Sequence, residues 1–243
     1  MFTTTLRFAS ALALCAAILA PAAVRAETPE GFACLFNGKD LTGWAGNADL
    51  WCVEDGAITG QTTKEKPAKG NTFLIWQGGK PGDFELRIKF RMLAHNSGVQ
   101  YRSKDKGNFS VGGYQADIDY NNTYTGMLYE EGGRGILVKR GTKMLVHEDG
   151  KKEVLGQTAT DREILAVIKK DDWNEYVITA KGNHLTHVLN GVTTMDLVDK
   201  QEGKAAASGV IALQLHAGPP MKVQFKDVRS EERRVGKECT IQC

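Results

Sequence analysis

The stretch from Asp83 to Met92 constrains the fold more than any other. Phe84, Leu86, Ile88, Phe90 and Met92 alternate one for one with Glu85, Arg87, Lys89 and Arg91. Successive side chains of a strand point to opposite faces, so this run predicts a strand with one face on a core and the other in water. Period-two runs recur around Trp173 to Ala180, His184 to Leu189, Gly209 to His216 and Met221 to Val228. Asp55-Gly56 and Asn190-Gly191, each between β-prone runs, read as tight hairpin turns. Only Asp161 to Lys170 has helical character, and it is short. Many strands with few helices in a chain of 243 residues predict one all-β domain over 27–230, a jelly-roll sandwich of two antiparallel sheets.

Ahead of this body, Arg7 is followed by the apolar run Phe8 to Ala23 and the small-x-small sequence Val24-Arg25-Ala26. That pattern predicts a signal peptide over 1–26, and an exported protein, periplasmic or extracellular. Removing Arg7 and Arg25 from the 31 Lys and Arg leaves 29 against 29 Asp and Glu. A near-neutral chain without basic runs gives no electrostatic reason to expect nucleic acid or anionic lipid. The sequence has no second apolar run of spanning length, so no membrane partner is expected after cleavage. Cys34 and Cys52 would form a disulfide if the first strands are neighbours, or stay as thiols; no Cys or His spacing suits zinc. From residue 231 the alternation stops, and 231–243, with Cys239 and Cys243, resembles translated adaptor sequence to which no function is assigned.

Polar residues converge in a few places. If 114–119 is a strand, Gln115, Asp117 and Asp119 share a face, spaced about 6.5–7 Å apart. Gln100 with Arg102 and Gln214 with His216 form two more same-face pairs, and Asn96 and Tyr129 lie in the flanking stretches. Gln, Asp, Arg and His beside aromatics suit a sugar cleft better than the Lys and Glu of an ordinary wet face. A retaining glycosidase needs two carboxyl groups about 5–5.5 Å apart on such a strand, and Gln at position 115 cannot serve as one. The turn after Tyr129 carries Glu130, Glu131 and Arg134 and reads as a loop at the cleft rim. His184 and His187 have odd spacing, which puts them on opposite faces and argues against a shared metal. Trp44, Trp51, Trp76 and Trp173 are stacking platforms or core.

Taken in order, these stretches resemble the 3-keto-disaccharide hydrolase domain family. The resemblance rests on Gly31 to Trp44, Trp51 to Gly56, Asp83 to Leu86, Asn96 to Gly98 with Tyr101 and Arg102, and Gly113 to Asp119. It continues through Thr125-Gly126, Leu128-Tyr129, Trp173-Asn174, Leu189 to Gly191 and Gly209 to His216. Many members of that family pair Glu and Gln in the strand that here carries Gln115 and Asp117. The resemblance implies a concanavalin A-like jelly roll, usually exported, acting on glycosides oxidised at C3.

A ketone at C3 acidifies the proton on C2, so a base can remove it and the C1 aglycone can leave by elimination. Such a site needs a base near C2, a donor or cation at the C3 oxygen and an acid at the leaving group. The expected assignments are Asp117 or His216 as base, Arg102 at the enolate and Asp119 or Glu130 as acid. Gln100, Gln115, Tyr129, Arg134, Gln214 and Asn96 would bind the substrate, a small oxidised carbohydrate. A divalent cation held by Asp117, Asp119 and His216 is the alternative electrophile. The competing readings are a non-catalytic carbohydrate-binding module and a glycosidase that uses Asp117 and Asp119 on unoxidised glycans.

Overall fold

The computed structural model describes residues 31–232; the expected signal segment, Cys239 and Cys243 lie outside the described residues. The first strands are β1 (Ala33–Cys34), β2 (Trp44–Ala45), β3 (Trp51–Glu54), β4 (Ala57–Gln61), β5 (Thr72–Trp76) and β6 (Phe84–Ala94). Then come β7 (Asn96–Gly107), β8 (Ser110–Asp119), β9 (Leu128–Glu131), β10 (Gly135–Val138), β11 (Thr142–Val146) and β12 (Lys152–Gln157). After α1 (Asp161–Val167) the chain finishes with β13 (Asn174–Lys181), β14 (His184–Leu189), β15 (Val192–Asp199), β16 (Val210–Leu215) and β17 (Lys222–Glu232).

They form two sheets. The ten-stranded sheet runs β12-β11-β15-β14-β13-β6-β17-β4-β3, with β1 added to β17; the seven-stranded sheet runs β10-β9-β8-β7-β16-β5-β2. All neighbours are antiparallel except β11 and β15. The apolar face of β6 does what its alternation predicts: Leu86 and Ile88 are fully buried, and Phe84, Phe90 and Met92 nearly so. They join Tyr176, Ile178, Val223 and Phe225 of their own sheet and Val99, Tyr101, Tyr114, Ile118 and Leu213 of the other in one core. Burying both inner faces at once is what joins the two sheets.

Local chemistry sets the turns and the helix. Asp55 and Gly56 at β3–β4, and Asn190 and Gly191 at β14–β15, all take positive φ, which tight hairpins require. Thr160 caps α1 in a reciprocal capping box with Glu163, and Ile164 is its buried residue.

Of the two states open to Cys34 and Cys52, a mutual disulfide is not formed: Cys52 lies on edge strand β3, with β4 between it and β17, the strand that β1 joins. At the end of the described residues, Glu231 and Glu232 continue β17 and pair with Glu85 and Phe84 of β6. No helix among the described residues is long and apolar enough to cross a membrane.

Candidate functional site

On the seven-stranded sheet, register places the polar residues. Asp117 pairs with Gly98, Gln115 with both Gln100 and Tyr129, Gln100 with Ala212, and Gln214 with Phe73. Paired residues of an antiparallel ladder share a face. Since Val99, Ala116 and Leu213 of the alternate positions lie in the core, this row faces away from it.

Side chains in the row form a directed chain of hydrogen bonds. Ser103 Oγ donates to Gln100 Oε1 at 2.6 Å, Gln100 Nε2 to Gln115 Oε1 at 2.7 Å, and Gln115 Nε2 to Asp117 Oδ1 at 2.6 Å. Every donor points toward the carboxylate, an arrangement in which each bond polarises the next. The spacing depends on Gly98: a Cβ there would lie 2.4 Å from the Gln115 side chain. From the other sheet, Tyr176 reaches through the core and donates to the Asp117 carbonyl at 2.8 Å while accepting from Gly126 N–H at 2.8 Å.

Although it faces outward, this row is buried, with Asp117 5% exposed and Gln100 not at all. The far part of the β7–β8 hairpin accounts for the cover. Val111 of β8 forms a small apolar cluster with Phe73, Ile75, Val210 and Ala212, and Phe73 N–H donates to Phe109 O at 2.9 Å. In the plane of the sheet β8 and β5 are three strand spacings apart, about 14 Å, so these contacts require the hairpin to fold over the face.

Burial pushes the Asp117 carboxyl up to about 7, opposed by the Gln115 hydrogen bond and reinforced by the charges of Glu131 and Asp119. Glu131 accepts from Asn71 Nδ2 at 3.2 and 3.3 Å and from Gln214 Nε2 at 3.2 Å. Gln214 Oε1 is buried without a hydrogen-bond partner, an acceptor open to a hydroxyl or amide donor. Tyr129 belongs here as well: burial raises its phenol, as do the charges of Glu131 and Asp117.

The other expected residues lie elsewhere, each for a definite reason. A bulge between Tyr101 and Lys104 leaves Arg102 at φ 44, so Arg102 does not share the face of Gln100. Its guanidinium is occupied by Gly82 O, Gly182 O, Ala206 O and Asp83, off the face that carries Asp117. Glu130 pairs with Tyr114 on the core-facing side, and it joins Arg134 instead of the rim. Arg134 also binds Asp199 at 2.7 Å, and Tyr114 donates to Asp199 at 2.5 Å. Against burial, which raises it, these partners hold the Asp199 carboxyl below its usual range. Glu130, Arg134 and Asp199 thus join in one ion cluster, with Glu130 on the opposite side of β9 from Tyr129 and the Asp117 row.

Asp119 accepts from Thr123 N–H at 2.7 Å and closes the turn after β8, while Asn96 is its register partner at the strand end. His216 lies past the end of β16, with Nδ1 2.5 Å from Ala217 O and its ring edge-on to His95 at 5.0 Å. Asp117, Asp119 and His216 do not converge: among the described residues no three His, Cys, Asp or Glu side chains are grouped to hold a metal ion. The expected ligand set for a divalent cation does not fit. His184 and His187 take opposite faces as expected, His184 on Asp196 at 2.9 Å and His187 buried on Tyr101 at 2.9 Å. Trp44 and Trp51 are core, and Trp173 lies outside it, under Lys226 and Arg91.

The sequence placed Glu131 on the rim loop without assigning it a role, and it gave no sign of Asn71. Glu131 could have been found by carrying the Gln115–Tyr129 pairing two residues outward along β9. Asn71 had no signal in its neighbourhood.

A family profile described as 3-keto-alpha-glucoside-1,2-lyase-like domain matches residues 31–231. The chain belongs to this family. Its match spans both sheets, including every residue of the Asp117 row. Among curated proteins none matches the chain. A candidate glycosyl hydrolase from Parabacteroides distasonis has a similar structure, with 22% identity and a TM-score of 0.54 over 84% of this chain and 95% of that one. Carbohydrate-binding module CBM66 from Bacillus subtilis is similar at 15% identity and TM-score 0.50, over 78% of this chain and 95% of that one. A Bacillus subtilis protein of unknown function with a galectin-like fold shares 9% identity at TM-score 0.51, over 79% and 90%. At these identities the three structures establish the fold, and together with the family they support a carbohydrate-related role.

Proposed function

We propose that the protein cleaves 3-keto-glycosides by removing the C2 proton and eliminating the C1 aglycone, with Asp117 as the base. The observation that carries this reading is a buried carboxyl, raised to about 7, at the receiving end of the Ser103–Gln100–Gln115 chain. A base that titrates near neutral pH has the best balance between being ionised and holding the proton it takes. The family description, a 1,2-lyase-like domain for 3-keto-α-glucosides, supports the same chemistry.

In this reading the C2–H electrons move to the C3 carbonyl as Asp117 takes the proton. Their return forms the C1–C2 double bond and breaks the bond from C1 to the aglycone oxygen. The aglycone oxygen takes its proton from solvent, and the negative charge of Glu131 helps keep the proton affinity of Asp117 high. Water adding across the new double bond at C1 would complete a net hydrolysis. Gln214 Oε1, buried and without a donor, would receive a sugar hydroxyl.

Release of p-nitrophenol from the 3-keto-α-glucoside, followed between pH 5 and 9, tests this. The expected result is kcat/KM rising through an apparent pKa near that of Asp117 and falling by about 10³-fold or more in Asp117→Asn. Undiminished turnover in that variant would remove Asp117 from the mechanism. The likeness to CBM66 favours one second reading, a carbohydrate-binding module, which predicts saturable binding of the sugar and no release.

A further inference from the structure

On the outer face of the ten-stranded sheet, Glu175, Lys89 and Lys226 stand in one cross-strand row, Lys89 pairing in register with each of the others. The segment from the end of α1 to Trp173 runs alongside. Between the two lies a cleft of about 780 Å³ whose lining includes Lys89, Lys169, Lys226, Asp172, Trp173 and Glu175. That volume lies within the range of about 300–1,000 Å³ typical of small-ligand sites.

The charges of the lining are unevenly matched. Lys89 is paired with Asp227 at 2.8 Å, the Asp172 carboxylate accepts from Trp173 N–H at 2.7 Å, and Glu175 faces Arg229 at 3.7 Å. Lys169 and Lys226 make no ion pair among the described residues. Lys226 rests 4.1 Å from the centre of a Trp173 ring, with Arg91 at 4.9 Å. Lys169 and Lys226 outnumber the one carboxylate of the lining that lacks a cationic partner, Asp172, so the recess keeps a net positive charge that attracts an anion, and an indole beside them offers a flat apolar surface. A lone inorganic ion would fill little of this cleft. Nucleic acid needs a longer cationic track than one interrupted by Asp172, Glu175 and Asp227. Carboxylate and pyranose together match both features.

We propose that this cleft is a second glycan site, independent of Asp117, that takes an acidic oligosaccharide of the uronate class. Its carboxylate sits between Lys169 and Lys226, and a sugar ring packs on the exposed part of Trp173.

The test is a calorimetric titration of the full chain with trigalacturonate at low salt, with maltotriose as the neutral control. Expected are saturable binding of trigalacturonate and affinity for maltotriose lower by about tenfold or more, the loss of a charge-assisted contact. Lys169→Gln and Lys226→Gln should each weaken the acidic sugar by a similar factor, make the remaining binding less sensitive to salt, and leave 3-keto-glycoside turnover unchanged. Asp117→Asn should leave trigalacturonate binding intact. These two lysine variants keep the test open if Trp173→Ala fails to fold. Absence of saturable binding, equal affinity for maltotriose, or loss of binding in Asp117→Asn but not in the lysine variants would each overturn the proposal. Because turnover and acidic-sugar binding are read separately, failure of one site is distinguishable from failure of the other.

Discussion

Asp117→Asn should stabilise the fold, and by an amount that grows with pH. Asp117 carries its proton more tightly in the folded protein, with a pKa of about 7 against an ordinary value of 3.8. When the folded pKa of an acid is raised, the folded state binds more protons than the unfolded one between the two values, so stability falls as pH rises through that window. At one pKa unit per 1.36 kcal/mol, ionising Asp117 costs the wild type about 2 kcal/mol by pH 5 and on the order of 4 kcal/mol from pH 8 upward. Asparagine keeps an oxygen for the Gln115 amide and carries no charge to desolvate. Urea unfolding of both proteins at pH 4, 5, 6, 7 and 8 measures the difference, and the titrating groups that do not interact with Asp117 cancel between them. The variant should match the wild type near pH 4 and gain steadily to a plateau above pH 8. A pH-independent difference would refute the reasoning, since it would mean that Asp117 titrates alike in both states.

Two further substitutions probe how the site is held. Tyr176→Phe leaves the buried Asp117 carbonyl and Gly126 N–H without their shared hydroxyl. It should cost about 1–3 kcal/mol, read as a lower thermal midpoint in calorimetry; an unchanged midpoint would mean the bridge is not made. Arg134→Met strands Asp199 and Glu130 without a counter-charge. It should cost about 3–5 kcal/mol in denaturant unfolding while leaving turnover per folded molecule intact, whereas a loss of turnover at undiminished stability would return Arg134 to the substrate site.

The sequence made the architecture legible where alternation is unbroken. The apolar side of β6, the Asn190-Gly191 hairpin and the opposite facing of His184 and His187 all follow from period-two geometry and positive-φ turn residues. The same geometry located Gln115, Asp117 and Gln214. It failed where one residue changes the count. The bulge at Arg102 breaks the parity with Gln100 and sends a guanidinium assigned to an enolate into a loop cluster. Glu130 and Glu131 are neighbours, yet one joins the ion cluster and the other faces Asp117, because register decides which side of β9 each takes. Nor does any local pattern announce that the β7–β8 hairpin folds over the polar row. That depends on Val111 meeting Phe73 and Ile75, residues distant in the chain. Without that cover the row would be a wet sheet face, and Asp117 would have no reason to titrate near 7.

The claim that binds these observations is proton abstraction at C2 by Asp117. Its most direct test is an NMR time course of the purified protein with a 3-keto-α-glucoside in deuterated water. Aglycone release is expected with deuterium entering at C2 of the sugar product, both lost in Asp117→Asn. Aglycone release with C2 keeping its original proton would contradict it.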